Sequence, residues 1–161
     1  MKSVEEQNRD AANQLLDTAM RYARRVLRNY GEIGPFAFSM QVDGSVSRET
    51  LENPRLPADP ASLWKFLHAH VSQLAHRGEI KAAAVAASIS LAQPSQEGYS
   101  DAIMFQIEIR SGYANKVTVP YRIYGGPLWP ILPRRVAQGS VTAQEMAPTI
   151  FTTSPHPSSF R

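Results

Sequence analysis

Two stretches of strict alternation constrain this chain more than anything else in it: Ala102–Arg110 and Lys116–Tyr124, separated by Ser111, Gly112, Tyr113, Ala114 and Asn115. In the first, Ile103, Phe105, Ile107 and Ile109 share one face, with Met104, Gln106, Glu108 and Arg110 opposite. In the second, Val117, Val119, Tyr121 and Ile123 alternate with Lys116, Thr118, Pro120, Arg122 and Tyr124. Side chains of a strand point alternately to its two faces, so this pattern predicts a β-hairpin with one apolar and one polar face. Pairing Ile109 with Val117 puts Ile107 opposite Val119, Phe105 opposite Tyr121 and Ile103 opposite Ile123. The polar side then gathers Glu108, Arg110, Lys116, Thr118 and Arg122, the first candidate binding face. Pro120 has no N–H for a ladder, so its strand is expected to lie at an edge or to carry an interruption there.

The elements before the hairpin follow from spacing. Val4–Tyr30 carries Ala12, Leu15, Leu16, Ala19, Ala23, Val26, Leu27 and Tyr30 on one helical stripe, with acids near the start, arginines near the end and Gly31 as the stop. Arg21, Arg24, Arg25 and Arg28 form an arc opposite that stripe, a second candidate binding face for an anion or nucleic acid. Phe36–Val42 alternates with Phe36, Phe38, Met40 and Val42 inward, and the Asp43-Gly44 turn leads into a return strand. Asp59 followed by Pro60 starts a second helix, whose apolar face is Leu63, Phe66, Leu67, Val71 and Leu74. Ile80–Leu91 is predicted as a strand with a small face of Ala82, Ala84, Ala86, Ser88 and Ser90, although its alanines also suit a helical extension. Such a face permits close approach by a helix or by another subunit.

Beyond Tyr124 prolines accumulate. The chain is expected to divide into a compact domain over residues 1–124, a Pro-rich extended segment packed on the body over 125–151, and a disordered tail over 152–161. Trp129, Ile131 and Leu132 in the middle stretch are candidate interface residues.

The chemistry is sparse. No Gly-rich phosphate loop, dinucleotide fingerprint, His-Glu-x-x-His helix or nucleophile elbow occurs, so no catalytic residue, cofactor or metal ligand is assigned. Of the histidines on the second helix, His70 lies in the apolar arc, His68 at its edge and His76 on the polar side, which does not suit a metal pair. His70 is a candidate base, with Tyr121, for a pocket between sheet and helices. A net charge of +3 is too small to indicate nucleic-acid binding unless concentrated. The chain has no cysteine, its first residues lack an apolar signal core, and no stretch reaches the roughly 18 apolar residues of a membrane span. A cytoplasmic location without membrane contact is expected.

The order α-β-β-α-β-β-β implies an α+β fold, one antiparallel sheet of about five strands with two helices on one face. In element order alone it is similar to the roadblock and profilin-like modules. The expectation for function is a non-enzymatic protein-interaction module (adaptor, regulatory or immunity-type), homodimeric or bound to a protein partner. The alternatives are a ligand-binding or enzymatic fold with a pocket near His70, and a weak nucleic-acid or anion binder through the arginine arc.

Overall fold

The computed structural model describes residues 1–51, 56–125 and 134–152. The elements run α1 (Val4–Tyr30), β1 (Phe36–Gln41), β2 (Val46–Glu49), α2 (Pro60–His76), β3 (Ile80–Ser90), β4 (Asp101–Ile109), β5 (Ala114–Tyr124), β6 (Arg135–Gln138) and β7 (Thr142–Glu145). The strands form one seven-stranded sheet in the order β2-β1-β3-β4-β5-β6, and β7 also pairs with β5. All pairings are antiparallel. The α+β class with two helices and a single sheet therefore holds, with more strands than expected.

The helices begin and end where local chemistry dictates. Ser3 and Glu6 form a capping box at the start of α1, and Gly31 at φ 80° closes it in the left-handed region. Asp59 caps α2 by accepting from the Ser62 backbone N–H, with Pro60 in the first turn.

The helices cover opposite faces of the sheet, not one face as expected. On one side Leu15, Ala19, Ala23 and Leu27 of α1 pack on Phe36, Phe38, Met40, Ala82, Ala84, Ala86 and the odd-numbered residues Ile103 to Ile109. On the other, Leu67, Val71 and Ala75 of α2 pack on Ala37, Ile80, Ala83 and Val85, together with Ile150 and Phe151 near the C-terminus. The reason lies in β3. Both of its faces are apolar and buried over Ala82–Ala86, so a helix on one side alone would leave the other exposed to water. β3 is a strand throughout its length, flanked by β1 and β4. Its alanines let α1 approach closely, so Ala82, Ala84 and Ala86 of the small face are buried inside the molecule, while Ser88 and Ser90 are exposed.

The hairpin has a tighter turn than expected. Phe105 faces Val117, Ile103 faces Val119 and Asp101 faces Tyr121, so β5 is displaced by four residues from the anticipated register. The Gly112 N–H donates to the Ile109 carbonyl and the Ile109 N–H to the Tyr113 carbonyl, which makes a three-residue loop. Gly112 at φ 109° supplies the positive φ that such a loop requires. The displacement is even, so every side chain keeps its face. Pro120 sits where β5 changes partner, between its β7 pairing over Asn115–Thr118 and its β6 pairing over Tyr121–Tyr124. Val42, expected to point inward, is exposed beside the Asp43-Gly44 turn.

Because β6 and β7 join the same sheet, the folded domain runs past residue 124. Trp129, Ile131 and Leu132, with residues 153–161 of the expected tail, lie outside the described residues.

Candidate functional site

The hairpin's polar face, the first candidate binding face, is divided by α2 and the C-terminal segment. Glu108 is fully buried and Gln106 nearly so. The Glu108 carboxylate accepts the backbone N–H groups of Thr149 at 3.0 Å, Ile150 at 2.8 Å and Phe151 at 3.1 Å. It also accepts from the Thr149 hydroxyl at 3.1 Å and from Gln106 Nε2 at 2.6 Å. Five donors saturate a group with about four lone-pair sites, so this acid has no capacity left for a substrate. Arg110 is turned away from it. Its guanidinium donates to the Ala75 and Ile80 carbonyls at 2.9 and 2.7 Å and covers the Phe151 ring at 5.3 Å. Lys116 is exposed and Thr118 half-buried on the uncovered part of the face. Arg122 donates to the Gly98 carbonyl at 2.7 Å and lies over Tyr99. The five residues thus do not form one binding site.

The histidines are also drawn into internal contacts. His68 stacks on Trp64 with ring centroids 5.2 Å apart, and its Nε2 lies 2.8 Å from the Thr149 hydroxyl. Burial pushes the His68 pKa below its usual value, and the nearby Glu108 carboxylate opposes that only partly. His70 Nε2 lies 3.0 Å from Glu49, whose other oxygen accepts from the buried Ser39 hydroxyl. His70 therefore stands on the α2 face, whereas Tyr121 belongs to the α1-side core and bonds Ser88 at 2.9 Å. The sheet separates them, so no pocket takes both.

The arginine arc is sorted by the elements beside it. Arg24 reaches across to Gln138 of β6 at 3.4 Å. Arg28 is exposed at the end of α1, its backbone carbonyl accepting from Arg134. Arg21 and Arg25 lean to the other flank, where β2 contributes Arg48. The β1–β2 pairing sets Arg48 opposite Phe38, and Phe38 is core on the α1 side, so Arg48 projects toward α1. Tyr22 fills the seam, its ring 5.1 Å from Phe36 and 5.6 Å from Phe38. Arg48 and Arg25 lie 5.0 and 5.9 Å from the Tyr22 centroid.

Thr18, Arg21, Tyr22, Arg25, Phe38 and Arg48 line an open cleft of about 380 Å³. Among the described residues none of its three guanidiniums forms an ion pair with a carboxylate. Two guanidiniums held against one aromatic ring, with Arg21 lining the same cleft, make a candidate site for an anion. The arc seen in the sequence contains two of the three arginines of this cleft, Arg21 and Arg25. Arg48 was missed, because only the strand pairing reveals that it shares a face with Phe38.

No helix of the described residues is long and apolar enough to cross a membrane. No family model matches the chain, and neither a curated protein nor a solved structure matches it.

Proposed function

We propose that this chain is a non-enzymatic protein-interaction module that holds an acidic segment of a protein partner in the cleft between α1 and β2. The observation that carries the reading is the convergence of Arg21, Arg25 and Arg48 around Tyr22 with no carboxylate paired to them among the described residues. The groups from which acid–base chemistry would be built are engaged elsewhere: Glu108 by five donors, and Glu49 by His70 and Ser39. Self-association, one of the sequence expectations, draws less support from β3, because α1 covers the alanines of the small face that suggested it. The cytoplasm remains the setting proposed for this cysteine-free chain.

Fluorescence anisotropy with a labelled hexaglutamate peptide tests the reading. Binding that weakens as salt rises, and that is lost in the R21Q/R25Q/R48Q variant but kept in K116Q, is the expected outcome. No binding at low salt, or equal binding by the triple variant, overturns it.

A further inference from the structure

The cleft holds more positive charge than a single carboxylate can use. A carboxylate offers two oxygens and fills one guanidinium fork, whereas a phosphate monoester offers three terminal oxygens and about two negative charges near neutral pH. Here the forks approach from two elements. Arg21 and Arg25 stand one turn apart on α1, and Arg48 comes from β2. Tyr22 steadies Arg25 and Arg48 through its ring face, which leaves their N–H groups free for a ligand.

The position of the cleft says what carries that anion. β2 is the first strand of the sheet order, and its outer side has no paired strand among the described residues. An extended segment laid along it would place alternate side chains on the α1 side, where Arg48 projects. β2 is four residues long, so backbone pairing alone can supply only a few hydrogen bonds, and the anion must decide affinity. Nucleic acid is less well matched, because Arg24 and Arg28, which would extend the basic track, lie on the other flank and at the helix end.

We infer that the ligand of this cleft is a phosphorylated side chain on an extended protein segment that lies along the β2 edge. The inference rests on the docking reading above and names its chemistry. The phosphoryl group sits among Arg21, Arg25 and Arg48, and its neighbours in the segment run beside Val46–Glu49.

Calorimetric titration of the full chain with a heptapeptide of alternating threonine and glutamine bearing a central phosphoserine tests it. The controls are the same peptide with serine or glutamate at the centre, inorganic phosphate, and a duplex DNA oligonucleotide. The expected result is phosphopeptide binding at least about tenfold tighter than the glutamate peptide, competed by inorganic phosphate. R48Q and R25Q should each weaken it, while K116Q leaves it unchanged. Equal affinity for the glutamate and phosphoserine peptides overturns the inference and leaves the docking reading standing. Binding of duplex DNA in preference to every peptide overturns both, as does binding of none of these probes.

Discussion

Glu108 and Phe151 are joined through a backbone N–H that donates 3.1 Å to a carboxylate with no solvent exposure, and the same carboxylate takes the N–H groups of the two residues before Phe151. A buried charge is tolerable only when fully hydrogen-bonded, so the acid and the C-terminal segment hold each other in place. With the segment fixed, Ile150 and Phe151 complete the core under α2.

Replacing Glu108 with Gln puts an amide group where several N–H donors converge, leaving at least one of them unsatisfied. E108Q should destabilise the fold by about 2–3 kcal/mol, with the loss falling on the C-terminal latch. Urea unfolding measures the first, and limited proteolysis read by mass spectrometry should show faster cleavage near residues 146–152. A variant with an unchanged midpoint and unchanged cleavage would show that the latch contributes nothing to stability.

His68 sets a pH dependence. Its native pKa lies below the usual value of 6.5, principally because the ring is buried, with the Glu108 carboxylate pulling the other way. Below about pH 6.5 the unfolded chain therefore binds the proton more readily than the native one, so stability falls as the pH drops through that value toward the lowered native pKa. Between about pH 7.5 and 5.5, above the range where exposed carboxylates titrate, the melting temperature should decline. The decline should be smaller in H68Q. Equal slopes in the two proteins would exclude His68 as the source.

Much of this fold was legible in the sequence because it depends on local chemistry. The bounds of α1, the Asp59-Pro60 start of α2 and the two faces of the hairpin all follow from residues close together in the chain. The placement of the helices did not. Leu15 and Leu67 each announce an amphipathic helix, and only the doubly apolar β3 shows that they need different faces. The hairpin register was missed because Gly112 can serve in either a three- or a five-residue loop, and both keep the same residues inward. The burial of Glu108 was the hardest to foresee. An acid alternating with Gln106 and Arg110 looks like a solvated edge until a segment some forty residues later supplies its donors.

The alanines of β3 carry a packing prediction. Ala84 pairs with Phe38 and with Ile107 on its two sides and is buried beneath α1. A leucine there must push the helix away or displace those neighbours. A84L should cost about 1–3 kcal/mol, read as a lower urea midpoint with an unchanged m-value, whereas A84G creates only a small void. Tolerance of leucine at full stability would mean that α1 is not packed closely on this strand.

The arginine cleft makes the opposite prediction for stability. Guanidiniums grouped without carboxylates repel one another, and what holds two of them is the Tyr22 ring, whose attraction at such a partly exposed site amounts to about 0.5–1 kcal/mol. The R21Q/R25Q/R48Q variant should therefore unfold within about 1 kcal/mol of the parent in chemical denaturation, because relieved repulsion offsets the lost ring contacts. Added phosphate should raise the melting temperature of the parent and not that of the variant, since an anion bound only by the native state shifts the folding equilibrium toward it. A variant that loses several kcal/mol would instead make these arginines part of the scaffold. The stability of the triple variant thus separates a surface kept for a ligand from one kept for the fold.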